Sequence, residues 1–155
     1  MIHLYLMRHG HAVGHAPTDD QRPLSETGRA EVAAMVAKLL PVPPMEIQAS
    51  PYLRARQTAE LVHQGLRAGG VEVPVVIRDG MTPEADPGQW LAQFPGNGGG
   101  PLLLVTHNPF VSSLLSLLTQ GHYQADIGMH TGSIASLTAT VMGPGTAQLQ
   151  WYEAP

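Results

Sequence analysis

The run Leu102-Leu103-Leu104-Val105 constrains the fold more than any other stretch of the chain. Four successive apolar residues leave no polar alternate, so a strand made from them must be buried on both faces. Such a strand belongs inside a parallel sheet with helices on either side. The other segments agree. Residues 2–7 mix β-branched, aromatic and aliphatic side chains, with His3 as the one polar interruption, and read as another buried strand. Residues 45–49 and 73–77 are two further strand candidates, the second with Pro74 near its start. Between them lie helices. Ser25 is a good N-cap, and Val32, Met35, Val36, Leu39 and Leu40 follow at helical spacing until Pro41, Pro43 and Pro44. Ser50-Pro51 reads as a second helix start, with proline at the first helical position. Ala55, Ala59, Val62 and Leu66 form its buried stripe, and Gly69-Gly70 end it.

Residues 78–101 form a long connection rich in Gly and Pro, with one short helix expected around 89–94. Pro109 opens a helix running to about Leu118. Residues 133–141 and 147–152 alternate as strands do, and the turn Gly143-Pro144-Gly145 between them implies antiparallel pairing. Strands alternating with helices predict an α/β sandwich with a mostly parallel sheet and an antiparallel strand near the C-terminus. With 155 residues, no internal repeat and no linker, one domain over 1–155 is expected.

Composition narrows the function. A net charge of −4 argues against nucleic-acid binding, which needs a basic surface. The absence of cysteine removes disulfides, thiol catalysis and thiolate metal sites. The six-residue amino-terminal apolar run is too short for a signal peptide or a membrane span, so a cytoplasmic protein without a membrane partner is expected. No heptad or long apolar surface stretch asks for a dimer, so a monomer is expected.

In open α/β sheets, ligands bind at the carboxyl ends of the strands. Three junctions here carry cations. Residues 2–7 run into Arg8-His9-Gly10; residues 45–49 lead to Ser50-Pro51-Tyr52-Leu53-Arg54; and the Leu102–Val105 run ends in Thr106-His107-Asn108-Pro109. Neighbouring side chains on a strand point to opposite faces, so Arg8 and His9 serve one ligand only if the chain has turned out of the sheet. Gly10 is expected to permit that turn through its conformational freedom. Arg54 falls in the first turn of its helix, where the dipole also favours an anion. Arg56 lies about 200° round the same helix and is read as a surface charge.

This set fits a phosphoryl group. Arginine offers a rigid fork of donors to anionic oxygens, so Arg8 and Arg54 are candidate holders. A neutral imidazole is a competent nucleophile near neutral pH, and His9 is the candidate. His107 would serve best protonated, donating to charge on the equatorial oxygens. A metal site built from His9, His11, His15 and His107 is disfavoured, since the adjacent arginines would repel a cation. His3, His63, His122 and His130 are read as structural or surface groups. Singly, the arginines have plainer readings: Arg22 pairing with Asp19 or Asp20, and Arg54 with Glu60 or another surface acid.

Arg8-His9-Gly10 after a first strand, the stretch Ser50-Pro51-Tyr52-Leu53-Arg54-Ala55-Arg56-Gln57-Thr58-Ala59 and the late Thr106-His107 resemble the histidine phosphatase superfamily, the phosphoglycerate-mutase-like group. Arg22-Pro23-Leu24-Ser25, Met81-Thr82-Pro83 and Ser133-Ile134-Ala135-Ser136-Leu137 make the chain similar to SixA-type phosphohistidine phosphatases. The resemblance implies a three-layer α/β/α sandwich with no metal or organic cofactor. It implies His9 as the phosphorylated nucleophile, with Arg8, Arg54 and His107 in the phosphate pocket, and it adds Arg22 as a further phosphate-binding arginine.

Larger members place an acidic proton donor after the third strand. Here Glu84 and Asp86 lie in that region, and Glu84 is the candidate donor. An alkoxide leaving group needs a general acid more than imidazole does. His11 is a second departure and is read as facing solvent. The expected function is hydrolysis of phosphohistidine on a partner protein through a phospho-His9 intermediate. The alternatives are a phosphatase for a small phosphomonoester or phosphoanhydride, and a non-catalytic phosphate-binding module.

Overall fold

The computed structural model describes residues 1–94, 96, 100–125 and 127–155. In chain order the elements are β1 (Ile2–Arg8), α1 (Glu26–Met35), β2 (Glu46–Ala49), α2 (Leu53–Ala68), β3 (Val75–Ile77), α3 (Pro87–Ala92), β4 (Leu102–Thr106), α4 (Phe110–Gln120), β5 (Ile134–Ala139) and β6 (Gln148–Glu153). They form one sheet in the order β3-β2-β4-β1-β5-β6. The pairs β3–β2, β2–β4 and β4–β1 are parallel, while β1–β5 and β5–β6 are antiparallel. The antiparallel part therefore begins one strand earlier than the turn at Gly143-Pro144-Gly145 alone implied.

The run that opened the sequence reading sits where it must. Every residue of β4 is buried, with β2 and β1 as its two neighbours. Leu103 and Val105 face one core with Tyr5, Met7, Ile47 and Ala49, against Val32, Met35, Ala55, Ala59, Val62 and Leu66 of α1 and α2. Leu102 and Leu104 face the other core with Leu4 and Leu6, against Phe110, Val111, Leu114 and Leu118 of α4. Full burial of each large aliphatic side chain contributes about 1.5–3 kcal/mol, so both faces of β4 reward a helix layer. The result is the α/β/α sandwich.

Ser25 caps α1 as expected, its hydroxyl accepting from the Gly28 N–H. Two helix starts differ from the sequence reading. Helix α2 begins at Leu53 after an extended Tyr52, because the Ser50 hydroxyl bonds elsewhere and does not cap it. Helix α3 begins at Pro87, two residues before the expected start, because Asp86 caps it by accepting from the Gly88 N–H at 2.9 Å. Within the expected 78–101 connection, residues 95 and 97–99 lie outside the described portion.

Gly10 is used differently from the expectation. It is not among the glycines with positive φ. Its role is close approach: a methyl group there would lie 2.7 Å from the Gly28 carbonyl oxygen and 3.0 Å from Val32 Cγ2. Conversely, a methyl group on Gly28 would collide with the His11 backbone. The first turn of α1 thus packs backbone to backbone on the loop that follows β1. We expect Gly28→Ala to destabilise the protein by about 2–3 kcal/mol, since backbone on both sides cannot yield. A thermal melt should show Tm lower by roughly 5–10 °C; an unchanged Tm would mean the two backbones are not in contact.

Candidate active site

The site assembles at the carboxyl ends of three adjacent strands. Arg8, the last residue of β1, is in register with Thr106, the last of β4, and Ala49 at the end of β2 is in register with Val105. The ladder runs one step further on each side. The His9 N–H donates to the Thr106 carbonyl at 3.0 Å, and the Ser50 N–H to that of Val105 at 3.0 Å. His9, Ser50 and His107, distant in sequence, are fixed beside one another by backbone bonds alone. The Gly132 N–H donates to the carbonyls of both Arg8 and His9, at 3.0 Å each, holding the turn from the other side. Gly10 N–H donates to Thr58 Oγ1 at 3.1 Å, which itself donates to the Arg54 carbonyl at 2.8 Å. Thr58 of the sequence stretch therefore clamps α2 to the turn, while Gln57 Oε1 accepts from the Leu24 N–H at 2.7 Å.

His9 is 6% exposed. Its Nδ1 lies 2.6 Å from the Gly10 carbonyl oxygen, which can only accept, so Nδ1 carries the proton. Nε2 is left with its lone pair, and Arg54 Nε donates to it at 3.3 Å. Burial pushes the His9 pKa down to about 4, and the charges of Arg54, Arg8 and Arg22 press the same way against the opposing Gly10 bond. Arg54, 4% exposed, also donates through Nη1 to the Asp19 carbonyl at 2.8 Å and through Nη2 to Asp19 Oδ2 at 3.2 Å. Its guanidinium stands over the Tyr52 ring, 5.0 Å from the centroid.

His107 is 1% exposed, its ring centroid 5.1 Å from that of His9 and 4.9 Å from that of Tyr52. Its Nε2 is 2.7 Å from Ser50 Oγ, which also accepts from the Tyr52 N–H. The protonated ring expected beside a bound phosphoryl group is not favoured in the free protein. Burial first, then neighbouring His9 and Arg54, push its pKa down to about 2. With the Ser50 hydroxyl donating to Nε2, the neutral ring still keeps a proton on Nδ1. That nitrogen and Arg8 Nε are buried without a hydrogen-bond partner among the described residues. Arg8 Nη1 donates to the Met129 carbonyl at 3.0 Å.

The structure brings Arg8, His9, Arg54 and His107 together as expected. Arg22 reaches the same neighbourhood through Asp19: its Nε donates to Asp19 Oδ1 at 2.9 Å and its Nη1 to the Val13 carbonyl at 3.0 Å. The plain reading of Arg22 paired with Asp19 thus holds, and the surface acid that Arg54 meets is Asp19 rather than Glu60. Glu84 is exposed, and its charge reaches the Tyr52 hydroxyl, whose pKa is raised by burial first and by Glu84, Asp19 and Asp20. Asp86 serves as the cap of α3. His11 is exposed, its Nδ1 2.7 Å from Ser25 Oγ. Arg56 is exposed and turns back to the Pro51 carbonyl.

Sequence reasoning missed the double contact of Asp19 and the pairing of Ser50 with His107. For Asp19 the only local signal was its i,i+3 spacing to Arg22. Cavity size would not have found the site. A cavity of about 650 Å³ lies between Met45, Arg78, Trp90 and Phe94, and neither His9, Arg8, Arg54 nor His107 lines it. The polar chemistry locates the site, not the volume.

Comparison with known proteins agrees with this geometry. The histidine phosphatase superfamily (branch 1) model matches residues 4–95. The phosphohistidine phosphatase SixA of Escherichia coli (strain K12) is 31% identical over 160 residues, covering 99% of this chain and 94% of its own. A solved structure of the protein histidine phosphatase SixA complexed with tungstate superposes with a TM-score of 0.84 at 30% identity, covering 99% and 97% of the two chains. A mycobacterial glucosyl-3-phosphoglycerate phosphatase shares the fold, with a TM-score of 0.70 at 18% identity over 99% of each chain. The chain therefore belongs to the histidine phosphatase superfamily, branch 1.

Proposed function

We propose that this protein hydrolyses phosphohistidine displayed on another protein, through a phosphoryl group carried transiently on His9. The observation that carries the reading is the state of His9. Its proton is on Nδ1, bound to the Gly10 carbonyl, and its free Nε2 lone pair lies inside a cationic ring. Nε2 attacks phosphorus, a new N–P bond forms, and the P–N bond breaks to the substrate imidazole, which enters protonated on its other nitrogen and leaves as the neutral ring. Water then attacks the phosphorus of phospho-His9, releasing inorganic phosphate and restoring the neutral ring. Arg8, Arg22 and Arg54 hold the phosphoryl oxygens, and the Nδ1–H of His107 donates to one of them. The two buried nitrogens without partners, Arg8 Nε and His107 Nδ1, are suited to those oxygens. Similarity to a phosphohistidine phosphatase, and to its relative complexed with the oxyanion tungstate, supports the substrate class.

A second reading has its own observation. Glu84 stands at the rim close enough for its charge to act on Tyr52, whose ring meets that of His107 edge to face. Glu84 could protonate an alkoxide, so a small phosphomonoester or phosphoanhydride is the alternative substrate.

Incubation with a phosphohistidine-bearing protein and with a panel of small phosphoesters ranks the two readings. Hydrolysis of the esters alone would overturn the first, and turnover of neither would leave a binding module. The trapped phosphoenzyme should be acid-labile and base-stable. His9→Ala should abolish the label and lower turnover by roughly a thousandfold or more. The His9 ring should keep the nitrogen shifts of a neutral imidazole as pH falls from 7 to 5, titrating only toward about 4. Phosphoryl transfer to His9 is then lost on that acid side, because the protonated ring has no lone pair. Titration near 6.5 would contradict the buried cationic setting. Glu84→Gln should cost less than about threefold with phosphohistidine but on the order of a hundredfold with an alkyl ester. Equal losses would count against the leaving-group argument.

A further inference from the structure

Asp19 carries the wrong charge for a phosphoryl pocket, yet it sits on two of the arginines assigned to that pocket. One carboxylate spans side chains from two segments, Oδ1 on Arg22 Nε at 2.9 Å and Oδ2 on Arg54 Nη2 at 3.2 Å. Its carbonyl oxygen takes Arg54 Nη1 as well. The partners differ in burial: the Arg54 side chain is 5% exposed and that of Asp19 60%. Resting on the reading of this site as a phosphoryl pocket, we propose that Asp19 is an internal anion which the substrate's phosphoryl group displaces from Arg22 and Arg54. Asp19 thereby sets how tightly the site holds phosphate.

The physical argument has three parts. A guanidinium as buried as Arg54 is costly without a counter-charge, and Arg8 and Arg22 nearby make that need greater. Asp19 supplies the charge in the free protein. A phosphoryl group offers the same arginines more negative charge and more oxygens, so both anions compete for one pair of forks. Asp19 is equipped to yield. It sits in a three-residue turn, Asp19–Gln21, on the loop between β1 and α1, and most of its side chain already faces solvent. The carboxylate end of the pair is solvated, so Asp19 can yield its place to another anion without being left buried and unpaired. The Arg22 bond, aided by Arg54, holds its carboxyl below the usual range, so the competing charge persists at neutral pH. The same competition acts on the product. As inorganic phosphate leaves, the carboxylate returns to the arginines, which keeps a strongly cationic pocket from being blocked by its own product.

The test uses the full chain and needs no turnover. Inorganic phosphate and, separately, tungstate are titrated calorimetrically into wild type, Asp19→Asn and Asp19→Ala at low ionic strength. Melting curves check that the variants are folded. Loss of one negative charge beside the bound anion should tighten binding roughly tenfold in both variants. The gain should shrink as salt is added. In turnover, KM and the inhibition constant for phosphate should fall together. Unchanged or weaker binding in either variant would overturn the inference, since Asp19 would then be holding the arginines in place. Wild type that binds neither anion would overturn the phosphoryl pocket itself, and the inference with it. Wild-type binding that the variants fail to tighten overturns the role of Asp19 alone.

Discussion

A neutral imidazole held among three arginines is the constraint on which the site depends. A fall in pKa from 6.5 to about 4 at His9 corresponds to roughly 3 kcal/mol against the protonated ring. Burial supplies most of that, and the arginines needed to hold a phosphoryl group add to it. Under the proposed function the same charges do two jobs: they attract the anion, and they keep the His9 nucleophile unprotonated. Hydrogen bonds then decide which nitrogen is free. The Gly10 carbonyl fixes the proton of His9 on Nδ1, and when the Ser50 hydroxyl donates to His107 Nε2 the proton of that ring is on Nδ1. His107 can act as a donor while neutral, so the site does not need a second positive imidazole pressing on the first.

Such a ring of cations costs free energy to assemble, and the backbone around it is correspondingly well anchored. Arg8 and His9 are tied through main-chain bonds to Ser133, Thr106 and Gly132. Glu31 of α1 accepts from the His11 N–H at 2.8 Å and from Thr131 Oγ1 at 2.9 Å, joining the loop after β1 to the segment before β5. Gly10 and Gly28 let α1 approach that loop without an intervening side chain. The segments that carry the arginines are thus held mainly by main-chain bonds, with Glu31 as the one carboxylate among these contacts.

The sequence disclosed most of this where residue type and position carry local meaning. A run such as Leu102–Val105 can only be a doubly covered strand, and His9, Arg54 and His107 stand at the ends of strands where an α/β sheet collects ligands. What stayed hidden depended on partners distant in the chain. Ser50-Pro51 has the local form of a helix start, yet the Ser50 hydroxyl serves His107, 57 positions on. Asp86 resembled an acid of the proton-donor region, yet its Asp-Pro-Gly context makes it a cap. Gly10 suggested freedom of φ, whereas the structure uses its lack of a side chain against Gly28. The lowered pKa of His107 in the free protein was equally hidden, because its largest cause is burial, which no local pattern reports.

The arrangement of charge in depth bears on how a substrate is met. Positive charge lies inside, with Arg54 almost fully buried beside the neutral His9, while Asp19, Asp20 and Glu84 are exposed near Tyr52. The whole chain carries −4. At physiological salt, fields fade over about 8 Å, so the buried arginines act mainly on a phosphoryl group already at the mouth. A small free anion gains little long-range steering from such a surface. A phosphoryl group on a side chain is brought to the mouth by the contacts of the protein that bears it, and the acidic rim then favours a cationic or protonated carrier over an acidic one. The imidazole of phosphohistidine is such a carrier when protonated, and protonation is also what makes it a good leaving group. The rim that discourages small phosphates at a distance is therefore matched to the bond that the proposed reaction breaks.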